Sequence, residues 1–371
     1  MHKTMAIARP LVGWLTVVLF LIFGAVWTAQ LGNTWVMLAL FAWLFAVIIW
    51  VAFGVVHEAE ALADMLGEPL GTLVLTLSIV VIEVVLISAV MLGAQGNATL
   101  ARDTMYAVLM IVLNGVVGLG LLLGGMHHYE QSYNLKGASA YLSVIVPLTI
   151  IALVLPNFTT STPDGSLAPP QALAFSLLTI ALYGVFLWLQ AGRHRGYFVA
   201  ADAQPLDPKE VAHQRPERLD KTALLTHFAL LLLHILPIVI LAKSLAKVLD
   251  YGIEASGAPR ALGGIVIAML VFAPEGISAL IAARADRLTR ALNLCLGSVA
   301  STLGLTVPAV LAISLYTGHA VLLGLPPSSM VMVVATLLLS AMTFSTSRTT
   351  MLEGAVHLSL FAVFLVLVFS P

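Results

Sequence analysis

Residues 67–89 read GEPLGTLVLTLSIVVIEVVLISA, and residues 257–281 read GAPRALGGIVIAMLVFAPEGISALI. Each stretch opens on a glycine–x–proline turn, Gly67-Glu68-Pro69 or Gly257-Ala258-Pro259. Each then runs through apolar residues to one acid, Glu83 or Glu275, and continues apolar beyond it. The acids stand 16 and 18 residues after the glycines. About 20 apolar residues span the hydrocarbon core of a bilayer, so both acids fall near the middle of a span.

The rest of the chain fits that membrane setting. Its 371 residues are 60% hydrophobic and 9% charged, where a soluble chain carries about 25% charged residues. Apolar runs of spanning length occur at about 10–28, 33–56, 70–93, 104–124, 138–156, 170–190, 222–244, 261–283, 288–315, 329–344 and 350–370. Barrel strands would alternate with period two, and these runs do not. The expectation is an all-α polytopic membrane protein of about eleven transmembrane helices. Lys3 and Arg9 precede the first run as in a signal peptide. That run extends from Pro10 to about Thr28 without a small-x-small cleavage site, so it reads as a retained helix.

A net charge of −1 gives no basic surface for nucleic acid. The single cysteine, Cys295, forms no intramolecular disulfide, and no CxxC or HExxH motif appears. No resident cofactor is expected. The basic residues set orientation. With the N-terminus in the cytoplasm, Lys3, Arg9, Lys136, Arg193, Arg195, Lys209, Arg215, Arg218, Lys221, Arg284, Arg287, Arg290 and Arg348 lie inside. Only Arg102, Lys243, Lys247 and Arg260 lie outside. This places the C-terminus on the far side of a plasma (bacterial inner) membrane.

Spans 3 and 8 are five apart, so they cross in opposite directions. Similar segments of opposite direction mark an inverted-topology repeat. The division read from this has the N-terminal helix and the first helix of repeat 1 in 1–56, and repeat 1 over 33–190 with its site helix at 70–93. A cytoplasmic linker follows at 191–221, where Pro205, Pro208 and Pro216 oppose one long helix. Repeat 2 covers 222–371 with its site helix at 261–283.

A carboxylate at mid-bilayer costs several kcal/mol by most estimates. The structural alternative is a protonated Glu that locks packing; a matched pair on repeats of opposite direction favours function instead. Two glutamates supply up to four oxygens to a hard cation, which takes only oxygen ligands. In a low-dielectric site protons compete with that cation for the same oxygens, which is the physical basis of cation/proton antiport. Pro274 frees the carbonyl of Leu270, and Ser78 offers a hydroxyl unless it bonds its own helix. Asn114 in span 4 and Ser298 or Ser301 in span 9 are further candidate lining groups, set among glycines that also serve close packing. Glu353 reads as a first-turn acid with Arg348 as its partner, or, with His357, as part of a gate or proton path. Glu60, Asp64 and Glu68 share one helix face at the inner mouth. His127 and His128 sit in a short loop.

These residues resemble the calcium/cation antiporter superfamily in its proton-exchanging branch, nearest to the bacterial ChaA-type antiporters. The resemblance rests on Gly67-Glu68-Pro69-Leu70-Gly71 leading to Glu83, and on Ala273-Pro274-Glu275-Gly276. It rests also on Gly297-Ser298-Val299 through Thr306-Val307-Pro308, and on Phe344-Ser345-Thr346-Ser347-Arg348 through Leu352-Glu353-Gly354. It implies a first helix plus two inverted five-helix repeats, with the essential repeat glutamates at Glu83 and Glu275. The wider proton-exchanging group has Gly-Asn where this chain has Ile79-Val80 and Val271-Phe272, so two amide oxygens are missing. The ChaA-type branch is similar to this chain at those positions and is associated with sodium and potassium as well as calcium.

The expected function is exchange of a cytoplasmic cation (Ca2+, Na+ or K+) for protons across the lipid bilayer. A monovalent-only Na+(K+)/H+ antiporter is the nearest alternative. An intramembrane metalloenzyme is a remote one, because His227 and His234 alone make no ligand cluster.

Overall fold

The computed structural model describes residues 2–67, 70–91, 98–162, 164–192, 194–199, 221–318 and 321–370. Eleven helices account for nearly all of them: α1 His2–Ala29, α2 Thr34–Leu66, α3 Leu70–Met91, α4 Leu100–His128, α5 Leu135–Phe158, α6 Pro169–Ala191, α7 Lys221–Ser256, α8 Ala261–Arg284, α9 Leu288–Thr317, α10 Pro327–Thr343 and α11 Met351–Phe369. Nine are long and apolar enough to span a membrane, and shorter apolar stretches, Leu73–Ala89 and Pro327–Thr343, mark α3 and α10. Outward-facing side chains such as Leu21, Trp35, Trp188 and Met342 are large, apolar and exposed. That surface suits lipid and not water. Glu68, Pro69 and the linker prolines lie outside the described residues.

The chain forms two compact units. The first comprises Met1–Leu100 and Ala212–Pro274, hence α1, α2, α3, α7 and the start of α8. Its centre is the contact of α2 with α7. One stripe of α2, Leu44, Ile48, Val51, Val55, Glu58 and Leu62, is buried, at the three-to-four-residue spacing of a packed helix face. Pro237 lies inside α7, which stays helical through it. Having no N–H, it releases the carbonyl of Leu233, and the indole of Trp14 on α1 donates to that oxygen at 3.1 Å. A carbonyl freed within one helix thereby anchors another. Gly67 ends α2 with φ +64°, and Gly257 follows α7 with φ +63°. Both turns need a residue without Cβ, and they are the two turns quoted at the outset.

The second unit comprises Ala101–Val211 and Glu275–Pro371. Here α4 carries a π-helical segment, Met110–Val116. Others lie in α5 at Ile150–Val154 and in α9 at Thr302–Thr306. Such wide turns are rare and often mark functional segments. The C-terminal half of α4 packs on α11 through glycines. A Cβ on Gly354 would lie 2.4 Å from the Leu122 nitrogen, and one on Gly125 would lie 2.4 Å from the Met351 nitrogen. Backbones this close are the usual consequence of small residues at membrane helix interfaces.

A two-residue ladder joins Gln131–Ser132 (β1) to Arg348–Thr349 (β2). It sets Arg348 beside Glu130, whose carboxylate it meets at 3.0 Å. This corrects the expected pairing of Arg348 with Glu353. The Glu353 carboxylate instead accepts from the Thr350 backbone N–H at 2.8 Å and the Thr350 hydroxyl at 2.7 Å, closing a capping box on α11. His127 and His128 form the last turn of α4 rather than a loop, with His128 facing the Arg284 carbonyl at 3.0 Å. Nearby, burial pushes the Tyr133 phenol up, and the Glu353 charge adds to the effect.

Candidate functional site

The two glutamates are buried, each in its own unit. Glu83, on α3, is 1% exposed, and Glu275, on α8, is 5% exposed. Helix formation through both positions follows from long Leu/Ile/Val/Ala runs whose backbone polar groups must be satisfied inside the bilayer. α8 remains helical through Pro274, and Leu270, whose carbonyl that proline releases, is buried.

The hydroxyls expected near the acids are engaged locally. Ser78 donates to the Val74 carbonyl at 2.7 Å. Ser301 donates to the Ser298 carbonyl at 2.9 Å, immediately before the π-helical segment of α9. Thr302 and Thr306 within that segment are also buried. Ile79-Val80 and Val271-Phe272, the positions lacking amides, are apolar, with Val80, Val271 and Phe272 buried.

Asn114 and His357 are brought together. Asn114, fully buried on the π-helical turn of α4, donates from Nδ2 to Thr336 Oγ1 at 2.7 Å. Its Oδ1 lies 3.1 Å from His357 Nδ1, and His357 Nε2 lies 3.0 Å from Thr343 Oγ1. An amide oxygen only accepts, so His357 carries its proton on Nδ1 and accepts at Nε2. This chain ties α4, α10 and α11 into one buried polar network, where each partner is costly to remove.

One cluster escaped the reading of the sequence. Glu58, on the buried stripe of α2, is only 2% exposed at its side chain and lies 2.7 Å from His227 Nδ1 on α7. Its neighbours Glu60 and Asp64 are exposed. The signal was available: Glu58 sits in register with Leu44, Ile48, Val51, Val55 and Leu62, while Glu60 and Asp64 do not. Among the described residues no group of three His, Cys, Asp or Glu side chains is placed to hold a metal ion.

Residues 36–192 and 226–370 match the family described as sodium/calcium exchanger protein. The chain belongs to this family. Within it, the chain is 43% identical over 320 residues to the putative ionic transporter y4hA of Sinorhizobium fredii, covering 86% of this chain and 85% of the relative. It is 40% identical over 319 residues to the sodium-potassium/proton antiporter ChaA of Escherichia coli, covering 86% of each. The solved structure of native YfkE shares the fold, with TM-score 0.72 and 18% identity over 97% of this chain and 99% of that one. As a member of the exchanger family, within the calcium/cation antiporter superfamily, the chain is a membrane cation antiporter and not an enzyme.

Proposed function

We propose that this exchanger carries a cytoplasmic cation outward in return for protons, and that Glu83 and Glu275 are the groups that alternate between cation and proton. The observation that carries the reading is the burial of both carboxylates, 1% and 5% exposed, in separate apolar helices. In such surroundings a carboxylate is stable only when a cation, a hydrogen bond or its own proton balances it. Loading of one ligand on such a carboxylate therefore expels the other. The inverted repeats and a cytoplasmic N-terminus belong to the same proposal, supported by the matched glycine turns and by the distribution of basic residues. No cofactor is needed; the ions are the cargo.

The name of the Escherichia coli relative, a sodium-potassium/proton antiporter, supports Na+ and K+ as cargo, and the family description supports Ca2+. A purely monovalent exchange is the second reading. It is favoured by the apolar, buried Val80, Val271 and Phe272, which leave fewer oxygens for an ion that takes six to eight of them.

Purified protein in liposomes with an acid interior tests the reading. Ca2+, Na+ or K+ added outside should collapse the pH gradient, and Glu83→Gln or Glu275→Gln should abolish the response. Full exchange by both single variants would refute it.

A further inference from the structure

The Glu58–His227 pair belongs to a longer array within the first unit. His234 lies two turns along α7 from His227 and is fully buried. Its Nδ1 lies 2.7 Å from the Leu230 carbonyl. A carbonyl only accepts, so the proton sits on Nδ1 and the lone pair on Nε2. Nε2 is buried and has no hydrogen-bond partner among the described residues. It lies over Gly54 of α2, where a Cβ would stand 2.4 Å away. Gly54 is one turn from Glu58 along the same α2 stripe. The imidazole thus presents a basic nitrogen of fixed tautomer into the α2–α7 interface, in line with a more exposed pair, His227 being 33% exposed at its side chain.

Register places this array relative to Glu83. α2 and α3 approach at Ala63 and Gly71, where a Cβ on Gly71 would stand 2.4 Å from the Ala63 carbonyl oxygen. Counting down the antiparallel pair from that contact, Glu83 falls level with Val51, one turn past Gly54, or about 4.5 Å along the axis. His227 and His234 are about 10.5 Å apart along α7, so a proton transfer between them needs water in the gap.

We propose that Glu58, His227 and His234 form a proton relay between the mouth of the first unit and Glu83. This rests on the reading of Glu83 given above. A proton leaving the Glu83 carboxylate binds His234 Nε2, making an imidazolium. It then passes to the Glu58–His227 pair and to bulk water, and His234 returns to its neutral form. The other charged and titratable groups facing His234 are Arg9 on α1, whose Nη1 lies 3.4 Å from the Phe53 carbonyl, and Glu58 and His57 on α2. α7 adds only His227 near this end besides Lys221 at its start, and the described part of α3 adds only Glu83.

The test separates proton movement from cation movement. Liposomes holding the full-length protein are assayed for proton-coupled uptake of 45Ca2+ or 22Na+. The same isotopes are then assayed for self-exchange with equal unlabelled cation on both sides, which needs no net proton transfer. His234→Gln is expected to slow coupled uptake about tenfold or more, less than the ~10²–10⁴-fold a positioned general acid or base contributes to a chemical step, and to leave self-exchange within about twofold. His227→Gln, at the exposed end where folding tolerates it, should show the same selective loss in milder form. Equal losses of both fluxes, or coupled uptake unchanged in both variants, overturns the relay. Loss of self-exchange together with coupling belongs to Glu83→Gln, so failure of the cation site reads differently from failure of the relay.

Discussion

Gly354→Ala tests how the α4–α11 contact holds the buried network. In the native chain the Gly354 Cα faces the backbone of α4, and an alanine Cβ would stand 2.4 Å from the Leu122 nitrogen, 2.7 Å from the Gly118 oxygen and 2.9 Å from the Leu122 Cα. All three are backbone atoms and none can rotate away. Restoring ordinary contact at about 3.4 Å requires α11 to retreat by about 1 Å. His357 lies one turn further along α11, and its 3.1 Å bond to Asn114 does not survive that retreat. Overpacking of this kind costs about 1–3 kcal/mol, and a buried polar group left without its partner costs a further ~1–3 kcal/mol. The combined loss is expected in the lower half of the summed range, about 2–4 kcal/mol. The assay is the fraction of detergent-solubilised protein that stays monodisperse after heating, with ion-driven proton flux in liposomes alongside. Gly184→Ala on α6 is the control, since a Cβ there meets nothing within 4 Å. Equal thermal stability of the Gly354→Ala and Gly184→Ala proteins would show that the α4–α11 approach is looser than described and would refute the reasoning.

Other substitutions probe separate features. Asn114→Leu should destabilise the protein by about 2–3 kcal/mol, because Thr336 and His357 lose their shared partner in a dry interior; thermal unfolding measures this. Glu353→Ala should cost about 1 kcal/mol through the lost capping box, with Glu353→Gln retaining part of it, and the same melting assay separates them. Arg348→Ala should change stability by less than about 1 kcal/mol, because its pair with Glu130 is open to solvent and screened by salt. Gly67→Ala and Gly257→Ala should each cost about 1–2 kcal/mol, since both need the left-handed backbone region, whereas Gly196→Ala, with no close neighbour, should not.

The spans were legible because a bilayer imposes a length and a composition that a plain reading detects. Their ends were not. α2 continues to Leu66 and α7 to Ser256, well past the apolar runs. Glu58, Glu60 and Asp64, or Lys243, Lys247 and Asp250, lower hydropathy without lowering helix propensity, so hydropathy stops where the membrane stops and the helix does not. Asn114 stood out as an amide in mid-span, but its partners Thr336 and His357 lie 222 and 243 residues away, and no local pattern announces them. Sequence proximity alone pairs Arg348 with Glu353. The ladder between β1 and β2 brought a more distant acid closer. The π-helical turns left no trace, because they alter hydrogen-bond register and not residue type.

Cys295 has a practical consequence. It is the one thiol in the chain, and it is buried. In most transporters, mapping water access requires a variant stripped of its native cysteines, with whatever damage that brings. Here the burial of Cys295 predicts that the wild-type protein is silent to polar maleimides while folded. A cysteine introduced at successive positions of α2 or α7 would therefore report its own wetting directly, in a background whose folding has not been disturbed.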